Sequence, residues 1–128
     1  MEKLKSPLLV QPQSLNELVS SIAKYPDAQL FAGGTYLMSR MGYYPNQNPR
    51  DIISLANVPE LTRVIHVDKF VELGSMVTIR QLLNSSAFIL SAPLYKAIAE
   101  IGSSVIRRQI TIGGSLCTQG IRFFIPCF

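Results

Sequence analysis

The chain has 128 residues, 48% hydrophobic and 16% charged, with a net charge of +4, 2 cysteines and no tryptophan. That apolar content excludes a disordered chain, and no apolar run approaches the about 18 residues of a membrane span. Residues 1–5 carry lysines but no apolar segment follows them, so neither a secretory signal nor a disulfide framework is expected, and the expected setting is cytoplasmic.

Leu8-Leu9-Val10 reads as a short strand closed by Pro12. Ser14 with Glu17 forms a capping box, and Leu15, Leu18, Val19, Ile22 and Ala23 recur at helical spacing until Pro26. Gln29-Leu30-Phe31-Ala32 is a second strand that breaks at Gly33-Gly34. Thr35 then caps a helix ending near Gly42, with Leu37, Met38 and Met41 as core residues. Residues 51–55 give a third strand. Strand, helix, strand, helix, strand within this span is a βαβαβ unit and predicts a small parallel sheet.

Past Asn57 the pattern changes. Residues 63–67 and 70–74 flank Asp68-Lys69 as a tight hairpin, and residues 78–83 and 93–101 are amphipathic. After Gly102 the chain reads as irregular through Thr111-Ile112-Gly113-Gly114-Ser115. The fold class is therefore α+β with an α/β start.

Few residues carry chemistry. His66 is the only histidine and sits in a predicted strand, so no catalytic triad can be built around it. Cys117 and Cys127 have no partners at metal-ligand spacing, so neither a metal site nor a catalytic residue is expected. The basic residues are scattered rather than set in a stripe with aromatics, which argues against nucleic-acid binding. From Ile101 onward, however, Arg107, Arg108 and Arg122 face no carboxylate in sequence. They fit either a bound anion or a solvated surface. The two Gly-Gly turns fit ordinary tight turns or backbone nests for a phosphate. Neither is a Gly-x-Gly-x-x-Gly fingerprint nor a P-loop.

Taken in order, the motifs form a series. They are Ser14-Leu15-x-Glu17-Leu18, Phe31-Ala32-Gly33-Gly34-Thr35-x-Leu37, Asp51-Ile52-Ile53-Ser54-Leu55 and Val58-Pro59-Glu60-Leu61. There follow Glu72-Leu73-Gly74-Ser75-x-Val77-Thr78-Ile79, Ile101-Gly102-Ser103-x-x-Ile106-Arg107-Arg108 and Thr111-Ile112-Gly113-Gly114. This series resembles the N-terminal half of the FAD-binding subunit of the molybdenum hydroxylases, the family of xanthine dehydrogenase and aerobic carbon monoxide dehydrogenase.

The resemblance implies an FAD-binding fold of two subdomains. A parallel α/β part covers residues 1–57, and an α+β part with an incomplete antiparallel sheet covers 58–128. It implies non-covalent FAD with its diphosphate on the backbone of two segments. The first comprises Leu30, Phe31, Ala32, Gly33, Gly34, Thr35, Tyr36 and Leu37, and the second Thr111, Ile112, Gly113, Gly114 and Ser115. Ile101 and Gly102 match a stretch bordering the cofactor. It also implies an oxidoreductase component that passes electrons from an iron–sulfur subunit through FAD to NAD or another acceptor, substrate being oxidised on a molybdenum-cofactor subunit.

The sequence departs from the family in three places. Ser115 stands where Asn is usual, Tyr36 where a small polar residue is usual, and Phe124 near the place of an Asp. A full subunit is about twice this length, so a truncated, non-catalytic module that binds flavin weakly and serves as a partner-binding domain is the alternative. The apolar residues 123–128 are expected to be covered by further chain or to drive self-association.

Overall fold

The computed structural model describes residues 6–41, 50–85 and 92–118. The expected self-association segment at 123–128 lies outside them. Strands β1 (Leu9–Val10), β2 (Gln29–Phe31) and β3 (Ile52–Ser54) form a parallel sheet in the order β1-β3-β2. Ile53 pairs with both Val10 and Leu30. The central strand is the most buried because both its neighbours and the helix above it cover it, and Ile53 is 1% exposed.

Helix α1 (Leu15–Lys24) starts where Ser14, in extended geometry, accepts the Glu17 N–H at 3.2 Å. The Glu17 carboxylate returns to the Gln13 N–H at 2.7 Å, one residue earlier than in a regular capping box. Leu18 packs with Ile53 and Val58 in a first core. The rest of the expected apolar stripe does not follow: Leu15, Val19 and Ile22 are exposed. Strands of two or three residues are too narrow to cover a full helix face.

Helix α2 (Thr35–Met41) follows β2. Its first bond runs from Met38 N–H to Gly34 O at 2.9 Å, so Gly34 is the cap and Thr35 the first helical residue, one step earlier than expected. Met38 is exposed, not in a core.

After a 3₁₀ turn at Pro59–Thr62, β4 (Val64–Val67) and β5 (Phe70–Leu73) pair antiparallel as the expected hairpin. Asp68 takes φ +27°, the sense such two-residue turns require and Asp tolerates. Helix α3 (Ile79–Asn84) carries a complete capping box between Thr78 and Gln81. Helix α4 (Ala92–Ala99) has Pro93 in its first turn, where no N–H is missed. Val77, Ile79, Leu82, Ile98 and Ile101 form a second core.

The segment read as irregular after Gly102 is ordered. A 3₁₀ turn at Ile106–Arg108 leads to helix α5 (Ile112–Cys117), N-capped by Thr111. Thr111 bridges Thr78 antiparallel, so the caps of α3 and α5 stand side by side. The fold is thus mixed α+β, opening with a parallel α/β unit.

Candidate functional site

The two glycine segments, far apart in sequence, meet in space. A Cβ on Gly33 would lie 1.8 Å from Gln109 O, so the first loop touches the backbone leading into α5, and only glycine permits that approach. Gly34 has φ +74° and rests on the Phe31 ring, whose Cζ is 2.2 Å from the place of a Cβ. Phe31 therefore supports the loop from beneath.

Between the segments lies a cleft of about 360 Å³. Leu30, Ala32, Gly33, Gly34, Thr35, Tyr36 and Leu37 line one side, and Thr111, Gly114 and Ser115 the other. Five expected residues are not in its wall. Phe31 lies under the loop, Ile112 packs against the second core, and Gly113 sits on Ser75. Ile101 is buried in that core, and Gly102, at φ +56°, turns the chain out of α4. Gln29, Ile110, Cys117 and Thr118 also line the cleft, and none of them is among the cofactor-binding residues that the sequence implies. Cys117 and Thr118 lie three and four residues after Gly114. That spacing shares a helix face, a signal hidden while the segment was read as irregular.

The hydrogen-bonding capacity of the two sides differs. Ile112 N–H donates to Val77 O at 2.9 Å, Gly113 N–H to Ser75 O at 2.8 Å and Ser115 N–H to Thr111 O at 2.9 Å. Gly114 N–H donates to Thr111 Oγ1 at 3.1 Å. The second segment is therefore not the nest of free N–H groups expected. Its backbone is held by the protein, because this glycine pair opens a helix rather than making a turn. In the first loop, by contrast, no hydrogen bond among the described residues takes the N–H groups of Gly33, Gly34 or Thr35. The second side instead offers a hydroxyl: Ser115 is 2% exposed and its Oγ has no hydrogen-bond partner among the described residues.

Open N–H donors and a buried hydroxyl border one cleft, an arrangement suited to an oxygen-rich, phosphate-like group. Among the described residues, no charged side chain lines it. A second cleft of about 380 Å³ adjoins the same loop, sharing Gly33, Gly34, Thr35 and Thr111, and is lined further by Met38, Met76, Thr78, Arg108 and Gln109. Arg107 is not at either cleft. Its guanidinium donates to Ile101 O at 2.8 Å and to Ala99 O and Gly102 O, closing the C-terminal end of α4.

Fold and site together define a small α+β domain whose two glycine segments frame a phosphate-compatible cleft. The chain matches the family described as the FAD binding domain in molybdopterin dehydrogenase over residues 3–121, and it belongs to that family, whose cofactor is FAD. It is 34% identical over 115 residues to the nicotine 6-hydroxylase medium subunit of Paenarthrobacter nicotinovorans, covering 89% of this chain and 40% of that protein. It is 30% identical over 106 residues to the xanthine dehydrogenase FAD-binding subunit of Escherichia coli O157:H7, covering 81% of this chain and 36% of that one. Among solved structures it is similar to quinoline 2-oxidoreductase from Pseudomonas putida 86, with a TM-score of 0.75, 28% identity, and coverage of 89% of this chain and 40% of that one. The chain thus spans about 40% of the length of these relatives. Among the described residues, no helix is long and apolar enough to cross a membrane.

Proposed function

We propose that the cleft between residues 30–37 and 111–115 holds FAD, with the diphosphate against the open N–H groups of Gly33, Gly34 and Thr35 and the Ser115 hydroxyl. The observation that carries this is Ser115 Oγ. A buried hydroxyl without a partner costs about 1–3 kcal/mol, and a ligand oxygen at the cleft would remove that cost. Residues 1–57 and 58–128 would be the two subdomains around the cofactor.

Bound FAD supplies electron transfer. In this reading the chain is a flavoprotein component of a cytoplasmic oxidoreductase, set between an iron–sulfur subunit and an acceptor such as NAD, with a molybdenum-cofactor subunit acting on substrate. Support comes from relatives named as medium and FAD-binding subunits. The alternative, a module that keeps the fold but binds flavin weakly and serves as a partner-binding domain, draws on one observation. The N–H groups of Ile112, Gly113, Gly114 and Ser115 are all engaged internally.

Titration with FAD followed by flavin fluorescence separates the two. Wild-type chain is expected to bind FAD, and Ser115→Ala to weaken it about tenfold. The same variant is expected to keep or raise its urea midpoint, because it deletes an unsatisfied group. Equal FAD affinity in both proteins would remove Ser115 from the site, and no uptake by the wild type would favour the weak-binding module.

A further inference from the structure

Adjacent arginines in the sequence have opposite fates in the fold. Arg107 is half-buried and committed to three carbonyls at the end of α4. Arg108 is exposed, and among the described residues no carboxylate or carbonyl accepts from its guanidinium. The 3₁₀ turn at Ile106–Arg108 is held by Gln109 N–H to Ile106 O at 2.9 Å and Ile110 N–H to Ile106 O at 3.0 Å. Gln109 O in turn lies where a Cβ of Gly33 would be, so the residue before it is fixed at the edge of the first glycine loop.

Charge makes this placement informative. Among the described residues lining the two clefts beside the loop, Arg108 is the single charged one, and no carboxylate stands with it. The loop's N–H groups and Ser115 are neutral donors. They can orient a diphosphate but not offset its charge. A guanidinium is a cation that offers planar paired donors to phosphate oxygens.

We propose that Arg108 is the countercharge for the FAD diphosphate, reaching it across the first glycine loop from the neighbouring cleft, and that Arg107 is structural. This rests on the FAD site proposed above. It makes Arg108 a positioning residue for the cofactor rather than a solvated surface group.

The test is FAD titration of the full 128-residue chain at increasing NaCl, comparing wild type, Arg108→Gln and Arg108→Lys. Arg108→Gln is expected to weaken FAD about tenfold at low salt and to flatten the salt dependence, while Arg108→Lys keeps most of the salt dependence. Weakening with an unchanged salt slope would mean a disturbed loop and would overturn the proposal, as would wild-type affinity in Arg108→Gln. If Arg108→Gln fails to fold, the charge-keeping Arg108→Lys decides: loss of the salt dependence there sinks the proposal. If the wild type takes up no FAD at all, the underlying site reading fails and this one with it. An intact site with an indifferent Arg108 fails this one alone.

Discussion

A methyl group added at Gly33 would overlap Gln109 O at 1.8 Å, and one at Gly113 would meet Ser75 Cβ at 2.8 Å and Ser75 O at 2.9 Å. At Gly114 the same methyl would sit 4.0 Å from Ala32 Cβ, in the gap between the glycine segments, and crowd only Thr111 Oγ1 at 2.9 Å. Gly33 and Gly113 are therefore demanded by the chain's own packing, whereas Gly114 keeps the cleft open. Gly33→Ala and Gly113→Ala are expected to cost about 1–3 kcal/mol of stability by urea unfolding, with loss of FAD uptake as a consequence. Gly114→Ala is expected to hold a urea midpoint nearer the wild type while still weakening FAD. A Gly33→Ala protein as stable as wild type would show that the backbone contact with Gln109 yields easily.

Within single elements, capping was legible in the sequence only in part. Ser14, Thr78 and Thr111 each cap a helix, but only the first was singled out for that role. Thr111 was missed because each interior glycine costs a helix about 1 kcal/mol, so Gly113-Gly114 reads as a turn. Two interactions from distant chain override that penalty: the Ser75 carbonyl on Gly113 N–H and the strand-like bridge to Thr78. Local periodicity cannot show either. The same holds for the arginine pair, because nothing in the sequence tells which one turns back to a helix end. For α4 this leads to a further expectation. Arg107 brings positive charge and three hydrogen bonds to the carbonyl end of the helix, so Arg107→Gln should lower stability by about 1–3 kcal/mol. Arg108→Gln should leave the urea midpoint unchanged. Equal loss in the two variants would show that they do not have separate roles.

At the scale of the whole molecule, the hairpin β4–β5 shows how the second core is built and where it stops. Paired residues share a face, so Val64 with Leu73 and His66 with Val71 form one side, and Ile65 with Glu72 and Val67 with Phe70 the other. Val64 and Leu73 pack on the second core, while Ile65, Val67 and Phe70 are 40%, 36% and 62% exposed. A two-stranded ribbon has little stability of its own, so it is held by its inner face alone. Leu73→Ala should accordingly cost about 2–3 kcal/mol, somewhat less than a fully buried leucine would. Ile65→Thr and Phe70→Thr, on the outer side, should each change stability by no more than about 0.5 kcal/mol. Together they should raise the ammonium sulfate concentration needed to precipitate the protein, because they break up a contiguous apolar surface. Urea unfolding and a precipitation series check both sides. Were the outer pair as costly as Leu73→Ala, the ribbon would have to be covered on both faces in solution, and its inner packing could no longer account for its place in the fold.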